Sequence, residues 1–122
     1  MKEKQLQDIT ALYGRLSRDD EVGGESMSIQ SQRAILGQYA KEHGFTNCQF
    51  FMDDGYSGTN FDRPAFTEMM ELVEQRRVRT IIVKDLSRLG RNYLEVGRYT
   101  EVIFPENKVR FIAITDGVDS AA

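Results

Sequence analysis

Short apolar runs and helical repeats alternate along the chain in the order strand, helix, strand, helix, strand, helix, strand. The first run, residues 9–17, has the period of two that is typical of a strand and ends in Ser17. Tyr13 and Arg15 lie on the same face of this strand, because side chains two residues apart point the same way. Further strands are predicted over residues 49–52, 80–83 and 109–114.

Three helices are predicted between these strands. The first follows Ser28, whose hydroxyl can cap it, and ends at Gly44, which suits a left-handed backbone. The second begins at Pro64, since proline fits the first position of a helix. The third follows Asn92 and is expected to stop at Pro105.

This alternation predicts the α/β class, with an open, mainly parallel sheet of four or five strands flanked by helices. One domain is expected over residues 1–122. In such sheets ligands bind beyond the carboxyl ends of the strands. The loops expected to meet there carry one serine and four arginines: Ser17, Arg15, Arg63, Arg88 and Arg91.

Charge and composition limit the possible partners. The net charge is -3, so any contact with nucleic acid must be local. Six basic residues lie between Arg76 and Arg91, where the only acid is Asp85, and this predicts a basic segment. The single cysteine, Cys48, excludes an internal disulfide and is expected to fill the core. The sequence contains no apolar run of membrane-spanning length, so we expect no membrane contact and a cytoplasmic location.

The arginines indicate the chemistry. Guanidinium groups are planar, permanently charged and able to bond two oxygens at once, which suits a phosphodiester under attack. A serine among them predicts phosphoryl transfer with Ser17 as the nucleophile, although a serine after a strand can also be a simple turn residue. The only histidine, His43, ends a helix, so a Ser-His-Asp triad is not predicted. The acceptor of the serine proton stays open.

Five motifs follow one another over nearly the whole chain. They are Tyr13-x-Arg15-x-Ser17, Ser28-Ile-Gln-Ser-Gln32-Arg33, Asp53 with Ser57-Gly58, Asp62-Arg63-Pro64, and Ser87-Arg88-Leu89-Gly90-Arg91-Asn92. Together, in this order and spacing, they make the sequence resemble the catalytic domain of the serine recombinases. That family contains the resolvases, the invertases and the large integrases of transposons and phages.

The resemblance implies that Ser17 cuts and rejoins DNA through a covalent 5′-phosphoserine intermediate, with no metal or other cofactor. It implies that Arg15, Arg63, Arg88 and Arg91 bind and activate the scissile phosphate. Tyr13, Gln32, Asp53 and Lys84 match positions that line or order that site.

The resemblance also implies a larger working assembly in bacterial cytoplasm. The full-length protein is expected to bind each DNA site as a homodimer and to form a homotetramer when two sites are joined. On the same resemblance, residues 1–122 are expected to be an N-terminal catalytic fragment that lacks its DNA-binding region and is inactive alone.

Two features depart from the small resolvases. Ser87 stands where they carry an aspartate, so the role of that carboxylate does not transfer to this chain. The segment 18–27 is longer than in the small enzymes and favours the large transposon or integrase type.

A phospho-acceptor receiver domain is the alternative on a similar sheet. Asp53 and Asp54 after one strand and Lys84 after another would suit it. Against it, receivers need acids at the end of the first strand to hold magnesium, and that position carries Arg15 and Ser17.

Overall fold

The computed structural model describes residues 8–16, 28–54, 63–90 and 92–121. Within them one five-stranded sheet has the strand order β2-β1-β3-β4-β5. The first four strands are parallel to one another, and β5 runs antiparallel to β4. The strands are β1 (Ile9–Leu16), β2 (Cys48–Asp54), β3 (Val78–Val83), β4 (Arg110–Ala113) and β5 (Val118–Asp119). The predicted α/β class and mainly parallel sheet are confirmed.

The predicted helices also form. In the first two helices, the residues that were predicted to mark the helix ends lie at those ends. The elements are α1 (Ile29–Glu42), α2 (Pro64–Glu74), a 3-10 turn (Leu86–Arg88), α3 (Tyr93–Arg98), a π-helical segment (Tyr99–Ile103) and α4 (Phe104–Glu106). Ser28 caps α1 by accepting a hydrogen bond from the Ser31 N–H at 3.0 Å. Gly44 follows α1 with φ +76°, the left-handed conformation that glycine adopts without strain. Among the described residues no helix combines the length and apolar character needed to cross a bilayer.

Strand β1 is buried on both faces by different parts of the core. On one face Tyr13 packs with Phe66 of α2 and with residues of β3 and β4. On the other face Leu12 packs with Leu36 of α1. Because apolar layers hold both faces, β1 is a rigid support for whatever follows its carboxyl end.

Several expectations were wrong in detail. The predicted loop over 115–119 contains β5, a strand of two residues. Pro105 does not stop the third helix, which continues to Glu106, because proline lies at the start of a last turn where its missing N–H costs little. Cys48 is exposed rather than part of the core. The basic stretch from Arg76 to Arg91 contains β3, as predicted, with Arg79 near the amino end of the strand and Arg88 beyond its carboxyl end.

Candidate active site

Arg15 lies next to the last residue of β1 and is fully buried. Its Nη2 donates to the carbonyl oxygen of Ser87 at 2.6 Å, and its Nε donates to that of Arg88 at 3.3 Å. Two consecutive carbonyls of the 3-10 turn therefore face one guanidinium. The end of β1 and this turn are joined by charge-assisted hydrogen bonds, which are stronger than neutral ones.

The main chain of Arg15 is held by a clamp from α1. The Arg15 N–H donates to Gln32 Oε1 at 3.1 Å, and Gln32 Nε2 donates to the Arg15 carbonyl at 3.1 Å. Arg88 Nη1 donates to the same carbonyl at 2.9 Å. Gln32 is fully buried, so one side chain satisfies both polar groups of the backbone two residues before Ser17.

Arg63 reaches the same place from the residue that precedes α2. Its guanidinium is fully buried and donates to the Leu89 carbonyl at 3.0 Å, the Arg88 carbonyl at 3.3 Å and the Tyr13 hydroxyl at 3.3 Å. Its carbon Cζ lies 4.2 Å from the centre of the Phe66 ring, within the range of a cation-π interaction. These contacts fix Arg63 against the turn that Arg15 also holds.

Asp53 links β2 to the start of α2 and to Tyr13. Its carboxylate accepts hydrogen bonds from the N–H groups of Ala65 and Phe66 and from the Tyr13 hydroxyl, all at 2.9 Å. A carboxylate at a helix N-terminus is stabilised by the helix dipole. Burial raises the pKa of Tyr13 far above its ordinary value; the Asp53 charge adds to this, while that of Arg63 opposes it. Tyr13 is therefore a neutral hydrogen-bond donor rather than a base.

Lys84 lies at the margin of this group. Its Nζ is 3.2 Å from Asp85 Oδ2, so it contacts the turn through a neighbouring carboxylate. Asp116, from the loop between β4 and β5, accepts a hydrogen bond from the Leu86 N–H at 2.7 Å. The loops after β3 and β4 therefore meet, as the strand order predicts.

The structure brings together six of the nine predicted site residues at the carboxyl end of β1 and places Lys84 beside them. The six are Tyr13, Arg15, Gln32, Asp53, Arg63 and Arg88. Ser17 and Arg91 lie outside the described residues. Sequence reasoning did not identify the carbonyls of 87–89 as partners of the arginines. It also missed Asp85, although an acid two residues before Ser87 in a short turn is a usual capping pattern.

Three buried guanidiniums around one strand end can bind an anion with several oxygens. The main-chain carbonyls that now accept their hydrogen bonds offer the same kind of acceptor atom as a phosphate does. A phosphodiester in this place would meet fixed positive charge in a site shielded from water, where electrostatic stabilisation of a transition state is most effective. The fold and this site suit a domain that transfers phosphoryl groups.

The comparison with protein families identifies the family to which this domain belongs. The model described as "Resolvase, N terminal domain" matches residues 10–122, so the chain belongs to the resolvase N-terminal domain family. It is the catalytic domain of a site-specific serine recombinase, and its substrate is DNA. The receiver alternative is therefore not retained.

Solved structures of recombinase domains agree with this family, and the chain is also similar to a phage protein. The N-terminal catalytic domain of TP901-1 integrase is 27% identical, with a TM-score of 0.82 over 94% of this chain and 83% of that one. A resolvase family site-specific recombinase from Streptococcus pneumoniae is 28% identical, with a TM-score of 0.74 over 93% of this chain and 76% of that one. "Uncharacterized immunity region protein 3" of Bacillus phage phi105 is 30% identical over 64 residues, which cover 52% of this chain and 77% of that protein.

Proposed function

We propose that Ser17 is the nucleophile that cuts DNA. Its Oγ forms a bond to the scissile phosphorus, and the bond from phosphorus to the 3′ oxygen breaks. The serine loses its proton, and the departing 3′ oxygen gains one. The product is a 5′-phosphoserine ester and a free 3′ hydroxyl, and the ester keeps the bond energy that rejoining needs. The observation that carries this proposal is the convergence of Arg15, Arg63 and Arg88 at the carboxyl end of β1, where Arg15 precedes Ser17 by two residues in the sequence.

The arginines supply the charge stabilisation in this proposal. Phosphorus gains a fifth oxygen in the transition state, and the negative charge spreads over its equatorial oxygens. The guanidiniums of Arg15 and Arg63 share the Arg88 carbonyl as an acceptor, and that of Arg88 donates to the Arg15 carbonyl, so the three lie close enough to contact the oxygens of one phosphate. Arg91 is assigned to the same phosphate on its place in the motif.

When a phosphate binds, its oxygens must replace main-chain carbonyls that now accept hydrogen bonds from these arginines. Arg15 and Arg63 are fully buried, and their guanidiniums already donate to carbonyls of residues 87–89. A phosphate that engages Arg15 or Arg63 therefore replaces one or more of these carbonyls as the acceptor. The cost of leaving a buried guanidinium unpaired favours an exchange in which carbonyls leave as phosphate oxygens arrive.

We also propose that the chain acts within a longer protein and in several copies. Each copy supplies one Ser17, and exchange between two duplexes breaks four strands, so a homodimer on each site and a homotetramer in the joined complex are required. Tyr93 and Leu94 of α3 are 86% and 78% exposed, as expected for an interaction surface. The groove beside them, about 570 Å³, is lined by both Arg98 and Glu101, so two copies related by a two-fold axis could pair these charges.

Capture of covalent adducts tests the nucleophile. The full-length protein that contains this chain is incubated with fragmented host genomic DNA and stopped with detergent, and the protein-linked ends are sequenced to identify the crossover site. Ser17→Ala should give no adduct, whereas Glu68→Gln, on the exposed face of α2, should give the wild-type amount. Adduct formation by Ser17→Ala would show that another residue attacks the DNA.

The proposed assembly has its own test. Sedimentation of the full-length protein on its crossover duplex should give two copies per duplex, and Leu94→Glu should reduce this to one. A wild-type stoichiometry for Leu94→Glu would exclude α3 as the contact surface without affecting the assignment of Ser17.

A further inference from the structure

The carboxylate of Asp85 lies at the start of the 3-10 turn and contacts four groups on three residues. Oδ2 is 3.2 Å from Lys84 Nζ. Oδ1 accepts hydrogen bonds from the Ser87 N–H at 3.0 Å and from the Ser87 hydroxyl, and it lies 3.5 Å from Arg88 Nε. The opposite side of the Arg88 guanidinium donates to the Arg15 carbonyl at 2.9 Å. Arg88 is therefore held between a carboxylate and the end of β1.

We propose that Asp85 is a positioning residue for DNA cleavage, because it fixes Arg88 and the turn beside the end of β1. The inference rests on the proposed function, which assigns Arg88 to the scissile phosphate. Arg88 is only 5% exposed, and a buried guanidinium needs a partner that fixes its orientation as well as its charge. Asp85 places an opposite charge 3.5 Å from Arg88 Nε, and it does so from the residue that begins the turn.

The charge on Asp85 is part of this role. Burial by itself would raise its pKa, but the hydrogen bond from Ser87 and the charges of Arg88 and Lys84 together hold the pKa of Asp85 below its usual value. The carboxylate therefore stays ionised at neutral pH. It is a weak base in that state, so it acts by orienting Arg88 rather than by taking the serine proton.

The contact between Asp85 and Ser87 offers a way to distinguish the positioning of Arg88 from simple capping of the 3-10 turn. The Ser87 hydroxyl bonds directly to Asp85, so a side chain at position 87 reaches the place that the Asp85 carboxylate occupies. A carboxylate at position 87 should therefore be able to hold Arg88 in place of Asp85, even though the cap that Asp85 provides for the turn is then lost.

Four variants of the full-length protein test this on the crossover duplex. Asp85→Asn keeps an oxygen for the Ser87 N–H but removes the charge, whereas Asp85→Ala removes both the oxygen and the charge. The double variant Asp85→Ala/Ser87→Asp moves the carboxylate to position 87. Glu68→Gln is the control, because it removes a charge from the surface. We expect Asp85→Asn to slow single-turnover adduct formation by about tenfold to a hundredfold, as small misplacements of reacting groups do. DNA affinity should be unchanged or tighter, since a negative charge is lost beside the phosphate. The double variant should regain most of the rate, and Glu68→Gln should match the wild type.

Two results would overturn the proposal. One is a rate for Asp85→Asn within twofold of the wild type. The other is a parallel loss of rate, affinity and melting temperature in Asp85→Ala that the double variant does not restore, because that pattern belongs to a cap alone. Ser17→Ala is measured alongside, and an adduct formed by that variant would count against the proposed function instead.

A second measurement needs no DNA. In the wild type the Arg88 Hε should exchange slowly with solvent, which nitrogen-15 spectra of arginine side chains detect. Asp85→Asn should make this exchange faster, and Asp85→Ala/Ser87→Asp should slow it again. Equal exchange in the wild type and Asp85→Asn would show that Asp85 does not hold Arg88.

Discussion

The side-chain amide of Gln32 bonds both main-chain groups of Arg15, with its oxygen on the N–H and its nitrogen on the carbonyl, each at 3.1 Å. A helix thereby holds the backbone at the end of β1 as a neighbouring strand would. This is the backbone that leads to Ser17. The main chain two residues before the proposed nucleophile is therefore held by a side chain of α1.

Gln32→Ala should destabilise the protein by about 1 to 3 kcal/mol, because it leaves the buried Arg15 N–H without an acceptor. Gln38→Ala is the control on the same helix: Gln38 is exposed and bonds only to Glu42 in the described contacts, so its loss should cost no more than about 0.5 kcal/mol. Urea unfolding measures both changes. Equal values for the two variants would exclude a structural role for the clamp.

Gly14→Ala should be destabilising, whereas Gly37→Ala should not. A Cβ on Gly14 would lie 2.6 Å from Met52 Sδ and 2.8 Å from Gln32 Oε1. Met52 can shift, but Gln32 cannot do so without releasing Arg15, so we expect a loss of about 1 to 3 kcal/mol.

The Gly37 control lies inside α1, where, within the described part of the chain, an added Cβ would meet only Phe50 Cζ at 3.7 Å. Alanine there should stabilise the helix by about 0.5 to 1 kcal/mol. The two substitutions are chemically identical, so opposite signs in the change in unfolding free energy isolate the effect of the clamp. The same sign at both sites would contradict this account.

Arg63→Lys should lower the rate of adduct formation by about a hundredfold or more. An ammonium cannot reproduce the planar fork that now reaches the Leu89 and Arg88 carbonyls, nor its two-oxygen contact with a phosphate. Arg79→Lys is the matched control, because Arg79 is exposed near the amino end of β3 and pairs with Asp8 at 3.5 Å. A rate for Arg63→Lys equal to that of Arg79→Lys would remove Arg63 from the site.

Asp119 should make stability depend on acid pH. Two hydrogen bonds from Arg110, at 2.7 and 3.0 Å, lower the pKa of Asp119 to about 2 from an ordinary value of 3.8. Its contribution is therefore complete above pH 4 and is lost as the pH falls toward 2. Because the pair is partly exposed, we expect Asp119→Asn to cost only about 0.5 to 1 kcal/mol at pH 7. Thermal melts at pH 7 and pH 2 should show that the difference from the wild type disappears in acid; a constant difference would contradict the pairing.

The sequence predicted the sheet and the convergence of the arginines because both follow from general rules. Period-two runs gave the parallel strands, and the rule that loops meet at the carboxyl ends of strands placed Arg15, Arg63 and Arg88 together. Strand β3 also runs through the basic stretch from Arg76 to Arg91. Its two ends are five residue steps apart, or roughly 17 Å, so Arg79 near the amino end lies away from the site.

The remaining features depend on tertiary contacts that no short sequence window contains. Strand β5 has two residues, too few to show a period, and the π-helical segment 99–103 differs from an α-helix only in its hydrogen bonds. Gln32 is a polar residue on the apolar stripe of α1, and only the approach of β1 shows why it is buried. The carbonyl partners of Arg15 and Arg63 likewise become visible only when the turn after β3 is in place.

The central claim is that Ser17 becomes the covalent link to DNA, and the most direct measurement is mass spectrometry of the trapped adduct after nuclease digestion. The account predicts that the peptide containing Ser17 carries a single nucleotide, attached through its 5′ phosphate to the serine oxygen. A nucleotide on any other residue, or one attached through a 3′ phosphate, would contradict it.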